Sequence, residues 1–196
     1  LRNNDFLILS LFLILSLGIS HGALDHLKGV KLLKILKYDT IYIFYFFYIL
    51  LAVIVIFAWL ILPKFLLLLF LIIASYHFGK EDSEFIKLDS KFDIIYFFKG
   101  SLVVAAPLLF HKSETLKIFL DLNFKVSESF FVSNEFIYFL IGLSFLSNII
   151  ISLNKDINIK ALLLMDFISV LLINFFLQPI LAFTIYFCFL HSIRHS

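Results

Sequence analysis

Long apolar runs with few charges constrain what this chain can fold into. Of its 196 residues, 62% are hydrophobic and 15% are charged, and the mean hydropathy is +1.06. A soluble domain carries about 25% charged and about 45–50% apolar residues. The sequence therefore predicts an all-α protein, a polytopic integral membrane helical bundle, and argues against a soluble domain.

Seven segments are apolar enough to be candidate spans, since a spanning helix needs roughly 17–25 such residues. They cover residues 6–25, 41–62, 64–79, 92–110, 134–153, 160–177 and 179–195. We expect residues 1–196 to form one multi-pass domain in the cell membrane. Pro63 and Pro179 are each expected to open a helix, and Pro107 to kink or end one. The start at Leu1 and the end at Ser196 lead us to expect a piece of a longer protein.

The loop charges predict that the N-terminus lies outside the cell. In that topology the cytoplasmic regions hold ten Lys and Arg residues and the outer regions hold five, as the positive-inside rule requires. The stretch 28–37 carries four lysines between apolar residues at helical spacing. It predicts a basic amphipathic helix on the anionic inner leaflet. The single Cys188 excludes an intrachain disulfide and a Cys₄ metal site.

Four of the six histidines end odd-numbered candidate spans. His21 ends the first, His77 the third, and His191 and His195 the seventh. Alternating spans bring these four to the same cytoplasmic depth, whereas His111 ends the fourth span on the opposite side. Ionisable residues at membrane depth are usually functional, and neutral imidazole is the commonest metal ligand. The pattern predicts a transition-metal site with these four ligands, and ligand type alone suits iron, copper or zinc.

Acidic residues follow two of these histidines at a spacing of four. Asp25 shares a helical face with His21, and Glu81 shares one with His77. A ligating imidazole usually donates its second N–H to a carboxylate or carbonyl, so we expect Asp25 and Glu81 to be such partners. The alternative is that both acids are solvated at helix ends.

Two further charges, Lys99 and Asp166, lie within candidate spans. Charges at membrane depth are rare and pair with each other where they can. Either these two residues pair, or the long Lys99 side chain extends towards the interface.

Three motifs carry a family resemblance: H-G-A-L-D-H at 21–26, S-Y-H-F-G-K-E-D at 75–82 and H-S-I-R-H at 191–195. They resemble the Brp/Blh family of membrane β-carotene 15,15′-dioxygenases. The resemblance implies that O₂ cleaves the central double bond of β-carotene to give two all-trans-retinal molecules. It implies non-haem Fe(2+) held by four histidines, which fall on His21, His77, His191 and His195. It also implies a functional link to a retinal-binding rhodopsin. Family members continue past the third motif, whereas this chain does not.

The expected substrate carries no polar group, so apolar shape must position it. We expect Tyr76, Phe78 and Phe187 to line a substrate tunnel near the metal, although aromatic residues also serve core packing or face lipid. Membrane lipid is an expected partner and nucleic acid is not. Two other classes stay open: a di-iron membrane hydroxylase or desaturase, which needs more histidines, and a non-enzymatic membrane protein that binds a metal or haem.

Overall fold

A computed structural model describes residues 3–23, 25–38, 40–86, 93–124 and 132–192, apart from the side chains of 3–5, 17–23 and 25. These described residues form nine α-helices and one π-helical segment, with no strand among them. The helices are α1 (Asn3–Ala23), α2 (Asp25–Ile35), α3 (Ile41–Ile61), α4 (Pro63–Glu81), α5 (Asp93–Phe110), α6 (Lys112–Asp121), α7 (Asn134–Ser152), α8 (Ile157–Phe176) and α9 (Pro179–Ile185), which the π-helical segment Tyr186–His191 continues.

Five of the described helices, α3, α4, α5, α7 and α8, are long and apolar enough to cross a membrane. The apolar stretches described in the first and last helices, Phe6–Ser16 and Pro179–His191, are shorter. The predicted all-α membrane bundle is confirmed, and the count of seven spans stays a prediction. Pro63 and Pro179 open α4 and α9, as predicted.

Helix α5 lies at the centre of the bundle and packs against α4, α7 and α8, with smaller contacts to α6 and α9. Its approach to α4 depends on two glycines. A Cβ atom added to Gly100 would overlap the Ser75 carbonyl oxygen, and one added to Gly79 would overlap the Tyr96 carbonyl oxygen. Small residues at such a crossing let two membrane helices pack backbone against backbone. The end of α4 is therefore held tightly against the first half of α5.

Pro107 does not end α5, which continues to Phe110. Proline lacks an N–H but keeps its carbonyl, and the Pro107 oxygen accepts hydrogen bonds from the His111 N–H at 2.9 Å and the Thr115 hydroxyl at 3.0 Å. These bonds connect the end of α5 to the start of α6, a helix that was not predicted from the sequence.

The predicted basic helix is present as α2, which packs against α1 and α3. Leu33 is buried, and His26 Nδ1 lies 2.6 Å from the Tyr45 hydroxyl oxygen of α3. The opposite face exposes Lys28, Lys31 and Lys34. The helix is thus amphipathic, and its contact with the inner leaflet stays a prediction.

Candidate metal centre

The centre of the candidate site is a carboxylate at the end of α4. The α-helix ends at Glu81, and Asp82 follows as its C-cap. Asp82 Oδ1 lies 2.8 Å from His191 Nδ1, and Asp82 Oδ2 accepts a 2.6 Å hydrogen bond from the Tyr186 hydroxyl. One buried carboxylate therefore joins the end of α4 to the end of the last helix.

The π-helical segment explains how Tyr186 and His191 reach the same carboxylate. These two residues are its first and last members, five positions apart. A π-helix bonds residue i to residue i+5, so residues at this spacing lie on nearly the same face. Single π-helical turns within α-helices occur frequently at functional sites. In this chain the turn directs a hydroxyl and an imidazole together at Asp82.

The hydrogen bond to Asp82 determines which nitrogen of His191 is available. Burial raises the pKa of the Asp82 carboxyl, which lies just past α4. The hydrogen bonds from His191 and Tyr186 and the positive charge of Lys99 outweigh burial and hold this pKa below its usual range. Ionised Asp82 is an acceptor for Nδ1–H, and a neutral imidazole with its proton on Nδ1 has its lone pair on Nε2, the form that a metal ligand requires.

His77 and His191 are close enough to ligate one ion. Their ring centroids are 5.4 Å apart, and imidazoles that bind one metal through nitrogens at about 2 Å have centroids roughly 5 Å apart. His191 is 0% exposed, whereas His77 is exposed. The pair therefore combines a buried imidazole with an exposed one, and ligation of a metal ion by both stays a prediction.

Aromatic rings surround the buried imidazole. The Phe78 ring centroid lies 4.9 Å from that of His191, and the Phe187 ring stacks on the imidazole at 5.9 Å. Phe183 stacks in turn on Phe187 at 5.9 Å. Phe78 and Phe187 therefore give the His191 imidazole apolar neighbours.

The predicted tunnel residue Tyr76 lies apart from the other two. Its hydroxyl donates to Asp93 Oδ1 at 3.1 Å, and its ring lines a groove of about 560 Å³ between α4 and α5. Phe78 and Phe187 thus stand beside His191, whereas Tyr76 faces the start of α5.

The remaining predicted ligands and partners are only partly described. The backbone of His21 lies in α1, which packs against α9 and the π-helical segment. The side chains of His21 and Asp25, and all of His195, lie outside the described residues. Among the side chains that are described, no group of three or more His, Cys, Asp or Glu could hold a metal ion. The convergence of four histidines therefore stays a prediction.

Asp82 was not among the residues predicted from the sequence. Glu81, its neighbour, was the predicted partner from its spacing to His77; Glu81 is partly buried, and its role stays a prediction. Asp82 is the last residue of the S-Y-H-F-G-K-E-D motif, and this position was the available signal.

His111 lies at the far end of α5. The first residue of α5, Asp93, contacts Tyr76 near the end of α4. A helix of the 18 residues of α5 is about 27 Å long. His111 follows its last residue and lies 3.9 Å from Glu114 of α6, so it stands apart from the His77–His191 pair.

Lys99 of α5 is buried next to the turn that carries Asp82, and the residue is 7% exposed. Its ammonium donates to the Asp82 carbonyl oxygen at 3.0 Å and to the Ser83 hydroxyl at 2.8 Å. A small cavity of about 30 Å³ is lined by Lys99 and Asp82 together with Asn148 and Asp166. The Lys99 ammonium is therefore buried and hydrogen-bonded to the turn that follows α4.

Comparison with known proteins identifies the family. The family model described as "Beta-carotene 15,15'-dioxygenase" matches residues 12–196. The chain belongs to the β-carotene 15,15′-dioxygenase family. The family expected from the three histidine motifs is therefore confirmed.

A curated relative from this family, the "Beta-carotene 15,15'-dioxygenase" of uncultured marine bacterium 66A03, is 30% identical over 193 residues. The match covers 95% of this chain and 66% of the relative, so the chain spans about two thirds of the relative's length. No solved structure matches the chain.

Proposed function

We propose that this protein cleaves the central double bond of β-carotene with O₂ and releases two molecules of all-trans-retinal. Membership of the β-carotene 15,15′-dioxygenase family supports this activity. The observation that carries the proposal for the site is the buried His191 imidazole, which bonds to Asp82 through Nδ1 and lies beside His77 and two phenylalanine rings.

The proposed cofactor is Fe(2+), held by His77 and His191 with His21 and His195 as the other two ligands. Bound iron would supply the activation of O₂, which zinc cannot supply because it has no redox chemistry. The chain's own part is orientation. Asp82 holds His191 in the tautomer that presents Nε2, because an acceptor on Nδ1–H fixes both proton position and ring angle.

The aromatic residues suit an apolar polyene. Phe78 and Phe187 contact the His191 ring, so a substrate that reaches the metal would lie against them. They would place the central double bond by shape and exclude water from the reacting atoms. The exposed side of His77 would face the bilayer, where β-carotene dissolves. The retinal product would leave into the cell membrane, within reach of a retinal-binding rhodopsin.

Production of retinal in cells that make β-carotene tests this function. We expect cells that express the protein to lose their orange colour and accumulate retinal, and His191→Ala to abolish both changes. His111→Ala is the matched control, because His111 lies at the other end of α5, and it should retain activity. Purified protein with a haem Soret band, or with two irons per chain, would instead support one of the two alternative classes.

A further inference from the structure

We propose that Lys99 is a positioning residue: from the middle of α5, its ammonium holds the turn after α4 and thereby aims the Asp82 carboxylate at His191. This role for Lys99 rests on the proposed function in one respect, which is that His191 is a metal ligand. Lys99 acts through Asp82, because its ammonium donates to the Asp82 carbonyl oxygen and to the neighbouring Ser83 hydroxyl.

The hydrogen bonds of Lys99 converge on one short turn. Its ammonium donates to the main-chain oxygen of Asp82 and to the side-chain hydroxyl of Ser83. The Ser83 hydroxyl donates to the Gly79 carbonyl at 2.8 Å, so the turn is also tied to the last turn of α4. The backbone of Asp82 is therefore fixed from the α5 side.

The carboxylate of the same residue is fixed from the other side. Tyr186 and His191 each bond to one of its oxygens. Asp82 is thus held through its backbone by α5 and through its side chain by the π-helical segment. Loss of the Lys99 hydrogen bonds is therefore expected to change the orientation of the Asp82 carboxylate relative to His191.

Burying the Lys99 ammonium costs free energy unless its charge is compensated and its N–H groups are hydrogen-bonded. Isolated charges at membrane depth are rare and pair with acids or carbonyls, and a buried charge that loses its partners strongly destabilises a protein. Asp82 and Asp166 line the same cavity as Lys99, so two carboxyl groups lie near the ammonium. An apolar side chain could fill this volume, but it would leave the turn without its donor.

The carbonyl of Lys99 adds a further link to α7. It accepts a 3.0 Å hydrogen bond from the buried Ser144 hydroxyl, which helps to keep the Lys99 backbone in place between α4 and α7. The ammonium therefore extends from a backbone that is itself anchored. This anchoring is what a residue needs if it is to position another.

The test compares Lys99→Met and Ser83→Ala with Lys112→Met in the full chain. Lys112 is a matched control, because its ammonium also makes a 2.8 Å hydrogen bond, to Asn134 Oδ1, but next to His111 at the other end of α5. Two quantities are measured: the His191 tautomer in metal-free protein, by ¹⁵N NMR of histidine-labelled samples, and the dissociation constant for Fe(2+) alone under anaerobic conditions.

We expect wild-type His191 to carry its proton on Nδ1 and Lys99→Met to mix the two tautomers. The Fe(2+) dissociation constant should rise about tenfold, at the lower end of the roughly 10–100-fold effect of losing a partner of a ligating imidazole. Ser83→Ala should change both quantities in the same direction by less, and Lys112→Met should match wild type. In an Asp82→Asn background, Lys99→Met should add no further loss, since both act through one carboxylate.

A purely structural role for Lys99 gives a different result. The melting temperature would fall while the tautomer and the Fe(2+) affinity of the folded protein stayed at wild-type values, or the two losses would add in the double variant; either result overturns the proposal. If Lys99→Met does not fold, Ser83→Ala decides, and wild-type values for it would overturn the proposal too. Failure of wild type to make retinal would reject the proposed function but leave the tautomer result standing, so the two failures are distinguishable.

Discussion

Helices α3 and α5 differ sharply although both are apolar enough to span a membrane. Helix α3 contains no Asp, Glu, Lys or Arg, and none of its residues is buried. Eight residues of α5 are buried, among them Lys99, Gly100 and Ser101. Among them, Lys99 donates hydrogen bonds to the turn that carries Asp82, and Gly100 packs against the α4 backbone. In this bundle the uniformly apolar helix is the exposed one, whereas the helix that carries polar and small residues is the one that packs against the candidate site.

The largest expected difference between the two helices concerns added volume. Gly100→Leu places a side chain where even a Cβ would overlap the α4 backbone. We expect it to lower the free energy of unfolding by about 3 kcal/mol or more, at or above the upper range for overpacking. Ala52→Leu adds similar volume to the exposed surface of α3 and should leave stability unchanged. Thermal unfolding in detergent measures both variants. Equal melting temperatures would contradict the difference in packing between α5 and α3.

Removing side-chain volume should also destabilise the protein more in α5 than in α3. Leu102 of α5 is buried at 3% exposure, whereas Leu51 of α3 is 62% exposed. Leu102→Ala should destabilise by about 2 kcal/mol or more because it leaves a cavity, and within a bilayer the loss is mainly one of packing. Leu51→Ala should stay within about 0.5 kcal/mol of wild type. The free energies of unfolding check this, and a larger effect for Leu51→Ala would show that α3 packs against a partner.

A substitution at the carboxylate tests the chemistry at the α5 side of the bundle. Asp82→Asn keeps the shape but weakens the acceptor of His191 Nδ1–H, so we expect Fe(2+) affinity to fall about 10–100-fold. Asp121→Asn changes an exposed acid at the end of α6 and serves as the control. Titration of metal-free protein with Fe(2+) measures both constants. Unchanged affinity in Asp82→Asn would remove Asp82 from the site.

The smallest effect is expected from a single hydroxyl. Tyr186→Phe removes one hydrogen bond to Asp82 but keeps the ring and the contact of that carboxylate with His191. Hydrogen bonds to charged groups contribute about 1.5–3 kcal/mol, part of which would appear as a fall of about threefold to tenfold in Fe(2+) affinity. Tyr138→Phe on the exposed face of α7 should have no effect. A larger loss for Tyr186→Phe than for Asp82→Asn would mean that the hydroxyl contacts the metal site directly.

Most of the helices could be predicted from the sequence because apolar runs mark them well. Candidate spans 41–62 and 134–153 correspond to Ile41–Ile61 and Asn134–Ser152. Helix α6 was missed because its ten residues carry alternating charges instead of an apolar run. Candidate span 6–25 corresponds to α1, Asn3–Ala23, and the basic helix predicted over 28–37 corresponds to α2, Asp25–Ile35.

The candidate site could be predicted only in part. Span counting brought His77 and His191 to one depth, and the structure brings their rings together. Asp82 could not be found by helical spacing, because α4 ends one residue before it and its partners lie 104 and 109 positions later in the chain. The π-helical turn that directs Tyr186 and His191 to the same carboxylate has no local signature in the sequence. Long-range pairs of this kind depend on how the helices pack, which periodicity does not encode.

The iron content of histidine variants tests the central claim most directly. We predict one non-haem iron per chain in purified wild-type protein, loss of that iron in His77→Ala and in His191→Ala, and full retention in His111→Ala, whose imidazole lies at the opposite end of α5. Elemental analysis with an optical spectrum of each folded variant provides the numbers. Iron retained by His191→Ala, or lost from His111→Ala, would contradict a metal centre at the ends of α4 and the last helix.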